Sequence, residues 1–203
     1  MARHPDDFYR TPPDAVLALH DLIGSWPGFT VDPCAGDGGL IAACAMIWGA
    51  QALGMRGVEL DAGRSADAAG RGWRVEQGDG LERSWSGENV AMNPPFQIAP
   101  PFVEKAAHEA ESAAVLLPIA YLSSAERSDW WRSLPPPRLR VMSVRPSFQE
   151  DGRTSTQDYA WYLWGRLYAD APPVSWFCCP FERKLRLEHA ASARALRADQ
   201  VNW

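Results

Sequence analysis

Short apolar runs separated by polar turns alternate along the chain with stretches of helical period. Residues 29–31, 52–60, 73–77, 90–93 and 113–117 read as strands. Between them, residues 40–48, 66–69 and 102–112 read as helices. The first helix spans 11–22, where Thr11-Pro12-Pro13-Asp14 predicts a capped start with a proline in the first turn. Ser123-Ser124-Ala125-Glu126 is a second capping box, opening the helix that carries Trp130 and Trp131. Residues 138–144 and 159–165 read as two closing strands, joined by a Gly-, Ser- and Thr-rich connection over 145–158. Strand and helix in alternation predict an α/β fold with a mostly parallel sheet. Trp48, Trp161 and Trp164 lie inside these elements and are expected in the core.

Length and composition narrow the class. With 203 residues, the chain has room for one well-buried domain, expected over 1–180, with a helical tail over 181–203. At 46% hydrophobic and 22% charged it has the balance of an ordinary globular protein. No apolar run approaches the roughly 20 residues that span a bilayer, and the first residues lack a signal-peptide core, so a cytoplasmic location is expected. Cys34, Cys44 and the adjacent Cys178 and Cys179 form no Cys-x-x-Cys, and the four histidines show no ligand spacing, so no metal site is expected. A net charge of −5 argues against a generic nucleic-acid coat protein. It leaves open a local basic face. Arg138, Arg140, Arg145 and Arg153 near the closing strands serve either as phosphate contacts or as a solvated edge.

The candidate chemistry sits at the carboxyl ends of consecutive strands. Asp32-Pro33-Cys34-Ala35-Gly36-Asp37-Gly38-Gly39 follows the first strand, a glycine-rich turn that lets backbone approach a ligand. Glu59 ends the second strand about 20 residues on, where an acid meets ribose hydroxyls. Asp79, within Gly78-Asp79-Gly80, adds a carboxylate after the third strand, and Asp61 reads equally well as a helix cap. A ligand held by acids, with no nearby lysine or arginine for a pyrophosphate, fits a nucleoside carrying a cationic sulfonium better than a dinucleotide. After the fourth strand comes Asn93-Pro94-Pro95-Phe96. The Asn93 oxygen and the Pro94 carbonyl can accept both N–H bonds of a planar amine, while Phe96 stacks on the ring that carries it.

In that order these motifs resemble the class I S-adenosylmethionine-dependent methyltransferases that modify amino groups, closest to the N6-adenine DNA methyltransferases and to their compact, phage-like forms. The resemblance covers about residues 8–165. It implies a Rossmann-like fold with a seven-stranded, mostly parallel sheet, one antiparallel strand and helices on both faces. Its implied cofactor is S-adenosylmethionine, held by Tyr9, Thr11, Asp32, Pro33, Cys34, Ala35, Gly36, Glu59 and Asp79, with Asn93 bordering it. Thr11 would meet the methionine carboxylate, and Asp79 the cofactor's adenine. Asn93, Pro94, Pro95 and Phe96 match the catalytic motif, with phenylalanine where tyrosine is common, and Phe148 resembles the aromatic on the base's other side. The implied substrate is DNA with a flipped adenine. An RNA base, a protein glutamine amide, or a non-catalytic DNA-binding or assembly role stand as alternatives, and monomer and dimer are both open. No sizeable target-recognition segment is evident, so recognition would fall to the 145–158 connection, the tail or a partner.

Overall fold

The computed structural model describes residues 8–143, 145–148 and 155–177, and these alternate helix and strand along the chain. In order they form α1 (Pro13–Ile23), β1 (Thr30–Asp32), α2 (Gly39–Trp48), β2 (Met55–Glu59), α3 (Ala62–Gly70), β3 (Val75–Gln77) and β4 (Asn89–Met92). There follow α4 (Ala99–Glu109), β5 (Ser112–Pro118), α5 (Ala125–Ser133), β6 (Arg138–Met142), β7 (Tyr159–Gly165) and β8 (Val174–Phe177). One sheet takes the order β3-β2-β1-β4-β5-β7-β6-β8. Only β7 runs against its neighbours, pairing antiparallel with both β5 and β6. The α/β expectation holds, with one more strand than the seven expected. The additional strand, β8, lies parallel to β6 at the sheet edge. The tail over 181–203, Arg153 and the Cys178–Cys179 pair lie outside the described residues.

The central strands are apolar throughout because both sheet faces are covered. Along β5, Ala114 and Leu116 join one core with α1 and α2, while Ala113, Val115 and Leu117 join another with α4. Strand β7 alternates in the same way: Tyr159, Trp161 and Leu163 face the first core, Ala160, Tyr162 and Trp164 the second. A strand buried on both faces reads as a continuous hydrophobic run. Trp48, Trp161 and Trp164 are buried as expected. Trp161 also donates its indole N–H to the Ala15 carbonyl at 2.7 Å, tying α1 to the sheet.

Neither expected capping box forms. Extended Pro12 takes the N-cap of α1 and Pro13 its first turn, so Thr11 falls one position too early to cap and is buried instead. Ser124 caps α5 by position, without a side-chain bond. Residues 52–54, expected to begin the second strand, belong instead to a 3₁₀ turn, Gly49–Gly54. Trp130 and Trp131 are braces rather than an open stacking face: Trp131 stacks on Tyr162, and Trp130 donates to Glu104 at 2.6 Å.

No helix among the described residues is long and apolar enough to cross a membrane, and no group of three or more His, Cys, Asp or Glu among them could hold a metal ion. Trp161→Ala should lower the unfolding free energy by about 3–5 kcal/mol, read from urea denaturation. An unchanged midpoint would show that the α1–β7 contact contributes little.

Candidate active site

Strand β1 pairs with β2 on one side and with β4 on the other, all parallel. The connections change direction there, so the loops leaving β1 and β4 diverge and open a crevice above the strand ends. Asp32 closes β1, Glu59 closes β2, and Asn93 directly follows β4. An open cleft lies over them, lined among others by Tyr9, Thr11, Asp32, Cys34, Glu59 and Asn93.

The glycine-rich loop is held to β2 by a carboxylate. Glu59 accepts from the Gly36 backbone N–H at 2.7 Å and from Asp61 N–H at 3.0 Å. Gly36 has φ +57, a backbone conformation that favours glycine, and a Cβ there would lie 2.3 Å from the Phe8 ring, which would have to move aside. Behind the loop, a Cβ on Gly80 would lie 1.9 Å from the Pro33 carbonyl oxygen. Asp32 is buried and accepts from Cys34 N–H at 3.2 Å. Burial pushes its carboxyl up to about 7, the bond from Cys34 pulling the other way and nearby Glu59 adding to the rise. Burial likewise pushes the Cys34 thiol well up.

The Asn93 amide is oriented by a group 84 residues away. Its Nδ2 donates to the Tyr9 carbonyl at 2.8 Å, which turns Oδ1 the other way. That oxygen is buried with no hydrogen-bond partner. A buried bare acceptor is destabilising unless something supplies a donor. Beside it, Tyr9 and Phe96 stack with centroids 6.1 Å apart and planes 15° from parallel. Phe148 meets Tyr9 edge-on at 6.0 Å and Tyr159 at 4.9 Å, and Tyr159 meets Phe96 at 5.9 Å, so four rings close a circuit.

Of the residues expected from sequence, the cleft wall thus contains Tyr9, Thr11, Asp32, Cys34, Ala35, Glu59, Asn93 and Pro95. Pro33, Gly36, Pro94, Phe96 and Phe148 lie outside that wall, in the loops and ring cluster around it. Asp79 also lies outside it: exposed, it accepts from Leu81 N–H at 2.8 Å and makes a turn. Asp61 caps α3 through the Arg64 N–H. The expectation of no cation near the acids fails. Arg10 and Arg64 both line the cleft, with Arg64 Nε 3.5 Å from Glu59 and Arg10 3.4 Å from Asp37. Phe8 and Leu40, also in the wall, lie outside the motifs, while Asp37 and Gly39 belong to the glycine-rich turn without an expected role of their own. The arginines of the closing strands are engaged internally: Arg140 with Asp21, Arg138 with the Ala171 carbonyl, Arg145 with Asp158 at 2.7 Å.

Neither a protein-family model nor a curated protein matches the chain in sequence. Solved structures match it in shape. A protein from Listeria monocytogenes assigned as a class I S-adenosylmethionine-dependent methyltransferase superposes with TM-score 0.56 at 12% identity, over 82% of this chain and 65% of its own. The chain has the class I methyltransferase fold. The M protein of the type I restriction enzyme EcoKI matches this methyltransferase-like chain at TM-score 0.55 and 18% identity, over 78% of this chain and 44% of its own. A protein from Pyrococcus horikoshii assigned as an RNA methyltransferase gives 0.53 at 20%, over 78% of this chain and 86% of its own. The chain therefore spans less than two thirds of the first two proteins.

The raised Asp32 carboxyl has a stability consequence. The folded protein holds that proton more tightly than the unfolded chain, whose aspartates titrate near 3.9. Asp32 therefore favours folding below about pH 4, and this contribution is lost as pH rises through about 7. Asp32→Asn should flatten the decline in melting temperature between those limits; an identical pH profile would refute the assignment. Gly80→Ala should push Pro33 and the glycine-rich loop aside; if the cleft takes the S-adenosylmethionine expected from the sequence, its binding should weaken at least about tenfold by calorimetry, a misplacement effect of the order expected for displaced site residues.

Proposed function

We propose that the protein transfers a methyl group from S-adenosylmethionine to the exocyclic N6 amine of adenine in DNA. The observation that carries this reading is Asn93 Oδ1, a buried acceptor aimed away from Tyr9 with nothing bonded to it. An amine N–H supplies the donor it lacks.

The cleft suits the cofactor. Glu59 ends β2 with a carboxylate that can exchange its backbone partners for ribose hydroxyls. Asp32, poised near neutrality, gains from a cation beside it, and Arg10 and Thr11 offer donors for a carboxylate. When bound, the cofactor supplies an electrophilic methyl group. The chain's part is orientation. Accepting the amine's hydrogens at Asn93 Oδ1 and the Pro94 carbonyl localises the nitrogen lone pair and points it into the cleft. Phe96 then exchanges its stack with Tyr9 for a stack with the base, worth about 1–3 kcal/mol against the few kcal/mol of flipping.

The ring circuit favours a flat aromatic acceptor over a glutamine amide, which needs no such walls. Similarity to the EcoKI M protein, part of a restriction enzyme, supports DNA. An RNA base is the second reading, supported by the Pyrococcus horikoshii protein and the comparable share of both chains that matches. A non-catalytic role would leave the bare Asn93 acceptor without purpose.

Incubation with labelled cofactor and DNA, followed by digestion to nucleosides, should yield N6-methyladenosine as its deoxy form. Label confined to RNA would move the acceptor, and label in no polymer would contradict the reading. Asn93→Ala should lower transfer at least about 10²-fold, the size of a lost preorganised contact, with cofactor affinity within tenfold of wild type. Cofactor affinity should rise from pH 6 to 8 as Asp32 ionises, and this rise should vanish in Asp32→Asn.

A further inference from the structure

The last carbonyl of the Asn93–Phe96 loop is held by a residue outside every motif named above. Tyr121 lies in the 3₁₀ turn Ile119–Leu122 that leaves β5, the strand paired with β4. Its phenol donates to the Phe96 carbonyl at 2.8 Å. Tyr121 is itself gripped from α5. Its carbonyl accepts from the Trp131 indole at 2.9 Å and from Arg127 Nε at 3.2 Å. The Arg127 guanidinium sits 4.4 Å over its ring, and Trp130 meets that ring edge-on.

We propose that Tyr121 is a positioning residue for the reaction: its hydroxyl sets where the Phe96 ring stands relative to the Asn93 amide. The inference rests on the methyl-transfer reading above. Asn93 is anchored at one end of the loop by the Tyr9 carbonyl, and Phe96 at the other by Tyr121. The two prolines between them are stiff in φ and carry no N–H, so the loop has few other ways to be fixed. Fixing both ends sets the distance between the amine's acceptor and the ring on which its base stacks. Without the phenol, the Phe96 carbonyl is released and the ring can drift by a fraction of its stacking distance. A displacement of about 1 Å suffices to slow an oriented transfer about 10²-fold. The paired tryptophans and Arg127 thereby acquire a purpose: they make the end of β5 a rigid post beside the catalytic loop.

The test is Tyr121→Phe, which removes one oxygen and keeps the ring beneath Arg127. Methyl transfer to DNA, cofactor affinity, melting temperature and amide hydrogen exchange at Asn93, Phe96, Gln97 and Ile98 are measured on the full chain. Expected are a kcat about 10–100-fold lower, KM and cofactor affinity within about threefold, and faster exchange at those amides. A general structural role would instead lower the melting temperature and cofactor affinity together while leaving kcat unchanged, and that result overturns the proposal. Unchanged kcat with unchanged exchange overturns it as well. If the wild-type protein transfers no methyl group to any acceptor, the parent reading fails and the catalytic role of Tyr121 fails with it. That failure is told apart from the others because it appears before any substitution is made.

Discussion

One hydrogen bond organises the candidate site: Asn93 Nδ2 to the Tyr9 carbonyl. An amide has two ends, and committing its donor end to a fixed carbonyl commits its acceptor end to the opposite direction. The same bond fastens the segment before α1 across the crevice to the end of β4. Phe8 thereby covers the glycine-rich loop, and Tyr9 reaches Phe96. Were that bond absent, the Asn93 oxygen would have no defined direction and the cleft would lose one wall.

The bond can be rigid because the scaffold below it is. Strands β1, β4 and β5 lie side by side, with apolar side chains filling both faces from α1 and α2 on one side and α4 on the other. Close packing of this kind transmits position, so loops leaving adjacent strand ends inherit a fixed separation. The Glu59 carboxylate extends that order into the glycine-rich loop through Gly36. Charge then enters a site already shaped by packing. Asp32, buried at the end of β1 with Glu59 nearby, carries a carboxyl pushed up to about 7.

Much of this was legible in the order of residues. Strands buried on both faces announce themselves as apolar runs, and residues 159–165 were located without error for that reason. That Glu59 and Asn93 border one cleft was legible because ligand crevices in α/β sheets open at the carboxyl ends of strands. Other features depend on contacts between distant parts of the chain. Arg10 and Arg64 flank one cleft although 54 positions separate them, and Arg140 meets Asp21 across 119. No local pattern encodes such meetings. Strand β8 escaped notice because only Phe177 of its four residues is buried, so it lacks the apolar run that marks its neighbours. The capping box at α1 failed for a different reason: Pro12 took the cap position by its own backbone preference and displaced Thr11. Asp79 sat in the expected register but satisfied its own turn.

Methyl transfer as proposed requires the cleft over Glu59 and the Asn93 amide to be parts of one binding surface. A crystal structure with S-adenosylhomocysteine tests this most directly. It should show the ribose at Glu59 and the thioether sulfur facing Asn93 Oδ1, with the Tyr9–Asn93 bond intact. A ligand bound away from Glu59, or one whose sulfur points away from Asn93, would contradict it.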